Sequence, residues 1–128
     1  MSGIEITVLY AGLLGIMAVG IGATAGVLRA KEGISIGDGG NQELLMRMRR
    51  HANFVENVPL ALVLIGFLEM QGVPSIAIHV LGGVLVLGRV MHFVGFGEDV
   101  RSVVRGTGAG FTALTIVVSS VWGIVSFF

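Results

Sequence analysis

NVPLALVLIGFLEMQGVPSIAIHVLGGVLVLG, residues 57–88, has one formal charge, Glu69, in 32 positions. A helix crossing a hydrocarbon core of about 30 Å needs only about 20 apolar residues, so the run is too long for one crossing. Gln71-Gly72-Val73-Pro74 lies near its centre. Proline is well tolerated in the first turn of a helix, and the residue before it is pushed toward extended geometry. The stretch is therefore predicted to be a hairpin of two membrane helices, spanning about 53–71 and 74–95. Glu69, at the outer turn, is expected to be solvated.

Outward from this hairpin, residues 6–28 (ITVLYAGLLGIMAVGIGATAGVL) and 106–128 are each 23 positions without a charge. Twenty-three helical residues reach about 34 Å, enough to cross a bilayer. The prediction is an all-α integral membrane protein, a four-transmembrane-helix up-down bundle with spans near 6–28, 53–71, 74–95 and 105–127 in one domain over 1–128. The first stretch lacks a basic segment before it and is read as a true span rather than a signal peptide.

Composition agrees with burial in lipid. Charged residues make up 12% of the chain and hydrophobic ones 54%, with a mean hydropathy of +0.92. A soluble domain carries about 25% charged residues. Eight basic and eight acidic residues cancel, which leaves no electrostatic footprint for nucleic acid. Cysteine is absent, so disulfides, thiolate nucleophiles and cysteine metal sites are excluded, and sulfur chemistry needs a thiol from a substrate or cofactor. Arg29, Lys31, Arg47, Arg49 and Arg50 fall between the first two spans, and Arg101 and Arg105 between the last two. The positive-inside rule then places both charged loops in the cytosol and both termini on the other side. The first loop, roughly 30–42, is rich in glycine, and its GDGG run matches neither a phosphate loop nor a calcium loop. Gly22-x-x-x-Gly26 and Gly106-x-x-x-Gly110 are candidate close-packing faces.

The polar residues gather at the cytosolic helix ends. Asn41 to Met70 reads as one helix whose first turns project beyond the hydrocarbon. On it Arg49, Asn53 and Glu56 follow an i, i+4, i+7 pattern and share a face. Arg89 and His92, with Phe96 a turn further, share a face near the end of the third span, and Arg105 opens the fourth with Arg101 one turn earlier. Polar groups in spans normally face protein or a watery cavity. Arginine forks suit carboxylates, and a glutamate suits an ammonium. The set therefore fits a small zwitterion with several carboxylates, such as a peptide. A metal is disfavoured, because neighbouring arginines repel a cation and no compact ligand motif is present. Transport is disfavoured by the unbroken apolar centres of all four spans.

RRHANFVENVPLAL at 49–62, GRVMHFVGF at 88–96 and RGTGAGFTAL at 105–114 occur in the order of the second-, third- and fourth-span motifs of the MAPEG superfamily (membrane-associated proteins in eicosanoid and glutathione metabolism), which the chain resembles over nearly its whole length. The subset it looks most similar to is the short bacterial one. The resemblance implies a homotrimer in a bacterial inner membrane, with glutathione as cofactor and a hydrophobic small molecule or lipid as second substrate. Arg49, Asn53 and Glu56 match glutathione-holding residues, Arg89 and His92 match positions in or beside that site, and Arg29 matches a further basic contact. Arg105 matches the thiol-activating arginine, with Arg101 as its rival. The implied activity is that of a glutathione-dependent membrane transferase or peroxidase. The alternative is a glutathione-binding or structural membrane protein without significant catalysis. Asn57 and Phe96 stand where several eicosanoid-forming members have tyrosines, which argues against a specific eicosanoid synthase.

Overall fold

The structure, a computed structural model, describes residues 3–95 and 103–128. It contains four helices: α1 (Glu5–Glu32), α2 (Gln42–Met70), α3 (Ser75–Val94) and α4 (Val103–Val125). All four are long and apolar enough to cross a membrane. Asn41 caps α2 by accepting a hydrogen bond from the Leu44 N–H at 3.0 Å, so the polar first turns belong to the same rod as the apolar remainder. The predicted hairpin is present. Gly72 takes a left-handed φ of 81°, a conformation that glycine adopts without a Cβ penalty, and Pro74 opens α3. At the other end of the molecule, α1 continues past its apolar stretch to Glu32 and ends on a left-handed Gly33.

The long-range contacts fix an up-down arrangement. The start of α1 meets the end of α2 at Thr7 and Glu69, whereas its later part meets the start of α2 at Thr24 and Arg50. Asn53 of α2 meets Arg89 of α3. Helices α2 and α3 form the middle of the bundle, with α1 packed on one side and α4 on the other; α1 and α4 do not touch among the described residues. The core joins Leu14 and Ile21 of α1, Phe54, Val58, Ala61 and Ile65 of α2, and Ile78, Leu81 and Leu85 of α3. Outward faces remain apolar, as at Ile16, Val19 and Ile76, which suits a lipid surround.

Helix α4 packs differently from the others. Its buried seam is Gly108, Thr112, Thr115 and Ser119, small residues at 3.6-residue spacing. The Thr112 and Thr115 hydroxyls donate to the carbonyls of Gly108 and Phe111 in their own helix, at 3.1 and 2.9 Å. A Cβ at Gly88 would lie 2.9 Å from the Gly108 carbonyl oxygen, so α3 and α4 touch backbone to backbone. The seam is not the Gly106-x-x-x-Gly110 pair: Cβ atoms at those positions would meet nothing within 4 Å. Gly26 is equally open, whereas Gly22 lies against the His51 ring.

Glu69 departs from expectation. Rather than standing in solvent, its carboxylate accepts from the N–H groups of Ile6 (2.9 Å) and Thr7 (2.8 Å) and from the Thr7 hydroxyl (2.6 Å). The first N–H groups of any helix lack partners within it. Here α2 supplies them, and a negative charge at that end also favours the helix dipole. Nearby, the Tyr10 hydroxyl donates to the His79 carbonyl and lies 3.1 Å from His79 Nδ1, so this histidine is hydrogen-bonded but exposed.

Three substitutions test this packing by thermal unfolding in detergent. Gly108→Ala drives a methyl into the α3 backbone and is expected to destabilise by about 1–3 kcal/mol, while Gly15→Ala, mid-helix and facing open space, is expected to stabilise by about 0.5–1 kcal/mol through helix propensity. Glu69→Ala is expected to cost about 2 kcal/mol through loss of hydrogen bonds to a charged acceptor, and to speed hydrogen exchange at Ile6 and Thr7.

Candidate functional site

At the end of the bundle that carries the two longer connections, a cleft of about 400 Å³ lies between α2 and α4 over the end of α3. Met46, Arg49 and Asn53 line it from α2, His92 from α3, and Arg105, Gly106 and Ala109 from α4. The α2 residues meet there because their spacing of three and four puts them on one stripe. The α4 residues meet them because α3 and α4 stay in close contact to this end: a Cβ at Gly95 would fall 2.8 Å from Arg105 Cα.

Behind the cleft sits Arg89, 1% exposed. Its Nη1 donates to Asn53 Oδ1 at 2.8 Å, its Nη2 lies 3.3 Å from His92 Nδ1, and its Cζ is 5.2 Å from the Phe54 ring centroid. A buried guanidinium needs its donors satisfied. Meeting that need at Nη1 and Nη2, with Nε left without an acceptor among the described residues, orients one cleft side chain on α2 and another on α3. Arg89 therefore positions Asn53 and His92 and does not line the cleft itself.

Four of the eight residues singled out from sequence thus converge: Arg49, Asn53, His92 and Arg105. Arg49 is exposed and makes no side-chain hydrogen bond or ion pair among the described residues. Glu56 is exposed on the same helix two turns from Arg49, beyond the cleft-lining set. Arg29 lies elsewhere: its Nη1 donates to the Gly37 carbonyl at 2.7 Å, and its Nη2 is 3.2 Å from Met48 Sδ. It holds the first connection against α2. Arg101 and Phe96 lie outside the described residues. Asn57, in the position of the missing tyrosine, spends its amide on the Asn53 carbonyl of its own helix at 2.8 Å.

Sequence reading missed Met46, Gly106 and Ala109. Met46 is three residues before Arg49 and seven before Asn53, and Ala109 is four after Arg105, so helical spacing from the charged residues was the available signal. It used Arg50 only to orient the spans. The Arg50 guanidinium in fact lies 4.3 Å over the Phe93 ring and donates to Thr24 Oγ1 at 3.0 Å.

A bundle of four membrane-length helices with a basic cleft built by three of them at one end defines a small integral membrane protein with a polar site at the bilayer edge. The chain belongs to the MAPEG family, whose family model matches residues 7–125. It is similar to the inner membrane protein YecN of Escherichia coli K12, at 38% identity over 91 residues that cover 71% of this chain and 70% of the relative. The protein of the same name from Escherichia coli O6:H1 gives the same figures.

Asn53→Ala removes the acceptor of a buried guanidinium and is expected to lower stability by about 2 kcal/mol. Arg49→Ala, which breaks no such bond, is expected to stay within about 0.5 kcal/mol of the parent. Thermal or denaturant unfolding in detergent separates the two.

Proposed function

We propose that this chain is a glutathione-dependent membrane transferase or peroxidase, acting as a homotrimer in a bacterial inner membrane with both termini on the non-cytosolic side. The observation that carries this reading is the meeting of Arg49, Asn53, His92 and Arg105 from three helices in one cleft at the bilayer edge. The donor set fits the tripeptide. Guanidinium forks match carboxylates, Asn53 offers an amide, and Glu56 on the same α2 face complements an ammonium. Membership of the MAPEG family supports the same assignment.

Glutathione would supply the nucleophilic sulfur that this cysteine-free chain lacks. A free thiol has a pKa of about 8.5 and is a few per cent ionised at pH 7. The role of Arg105 is to hold positive charge against the sulfur and so favour the thiolate; a shift of two units corresponds to about 2.7 kcal/mol. The membrane delivers the hydrophobic electrophile, for conjugation, or a lipid hydroperoxide, for reduction. A homotrimer is the assembly in which Arg29, outside its own chain's cleft, joins a neighbour's site. A second reading, binding without turnover, draws on Asn57, whose amide is tied to its own helix where several relatives offer a phenol.

Glutathione titration of the detergent-purified protein, followed by thiolate ultraviolet absorbance across pH, tests the proposal. Saturable binding with thiolate at neutral pH is expected; binding without it selects the second reading, and no binding at millimolar glutathione overturns both. Arg105→Ala is expected to lower turnover about tenfold or more, one pKa unit's worth, with little change in glutathione affinity. Intact turnover in that variant transfers the role to Arg101. Glu56→Gln is expected to weaken glutathione binding in calorimetry while the assembly persists.

A further inference from the structure

On the side of the bundle opposite the cleft, a groove of about 420 Å³ runs between α1 and α3. Met17, Gly20 and Ile21 form one wall, and Val90 and Phe93 the other. None of these side chains carries a polar group beyond the methionine sulfur. The loop-side end of the groove is different. Arg50 reaches across from α2, stacking its guanidinium 4.3 Å over Phe93 and donating to Thr24, one turn beyond Gly20 and Ile21. Thr24 in turn donates to the Ile21 carbonyl at 2.7 Å, so the hydroxyl is fixed. Arg50 thus bridges both walls at the groove's mouth.

Among the described residues Arg50 has no ion-pair partner, and its Nε has no hydrogen-bond acceptor. Arg47, the other arginine on Thr24, is already paired with Glu43. A cation with no acidic partner among the described residues, stacked on the wall of an apolar furrow, calls for an amphiphile with a negative head and a hydrocarbon tail. A soluble anion would satisfy Arg50 and leave the furrow empty; an uncharged lipid would do the reverse.

We propose that the α1–α3 groove is a binding site for an anionic phospholipid of the membrane, with one acyl chain along Met17, Gly20, Ile21, Val90 and Phe93 and the headgroup phosphate on Arg50. The site is separate from the α2–α4 cleft and does not depend on what that cleft binds.

The test uses the whole chain reconstituted in phosphatidylcholine vesicles containing trace spin-labelled phosphatidylglycerol or spin-labelled phosphatidylcholine, with the motionally restricted fraction read by electron paramagnetic resonance. Phosphatidylglycerol is expected to associate about fivefold more strongly, the worth of one basic residue at an anionic-lipid site. Arg50→Gln is expected to abolish that preference, Arg50→Lys to keep most of it, and Arg47→Gln to leave it unchanged. Gly20→Leu, where a Cβ meets nothing within 4 Å, fills the furrow without touching the charge and is expected to reduce association of the anionic lipid. It also provides a reading should Arg50→Gln fail to fold. Equal association of the two lipids overturns the proposal. So does an equal loss in Arg47→Gln and Arg50→Gln, which signals diffuse surface attraction. Loss of the oligomer in Gly20→Leu with lipid preference intact assigns the groove to a second copy of the chain and also overturns it.

Discussion

Backbone contact between α3 and α4 governs the functional end of the molecule. Gly88 and Gly108 leave no room for side chains between the two helices, and Gly95 continues the contact to the backbone of Arg105. In lipid, helices gain little from burying apolar surface against one another, so close van der Waals approach between small residues takes over that role. Threonine and serine along the same α4 seam turn their hydroxyls inward, and two of them bond to the helix's own carbonyls. The first turns of α4 are thereby held beside His92, and Arg105 faces the α2 stripe that carries Arg49 and Asn53.

Arg89 contributes the second constraint. Its burial among apolar side chains would be costly without partners, and the partners it takes are Asn53 and His92. One charged group therefore locks α2 to α3 at the depth where the cleft begins. The arginines at this end fall into different structural roles: Arg49 open to the cleft, Arg89 buried behind it, Arg50 on the far side, Arg29 and Arg47 holding the α1–α2 connection. Equal charge does not make them equivalent.

The spans, the hairpin and the single long α2 were legible in the sequence because bilayer thickness and hydropathy constrain them directly. The cleft was legible where residues share one helix, as Arg49 and Asn53 do. It was less so where the answer depends on how helices rotate against one another. Spacing puts Arg89 and His92 on one face, yet only the packing of α3 between α2 and α4 separates a buried positioning group from a cleft-lining one. Glycine spacing singled out Gly106 and Gly110, which stay open within the chain, but gave no sign that the α3–α4 contact runs through Gly108, one face away. Glu69 was misread because its partners, two backbone N–H groups of α1, lie more than sixty residues away in sequence.

That carboxylate also ties two distant ends of the chain's path together. The first turn of α1 and the α2–α3 turn are joined through Glu69 to Ile6 and Thr7, so both must lie on one face of the bilayer. The N–H groups it serves would otherwise have to be met by water or lipid headgroups, because no residue within the helix can reach them. A single side chain thereby closes α1 and the hairpin into one cooperative unit at the end of the molecule away from the cleft.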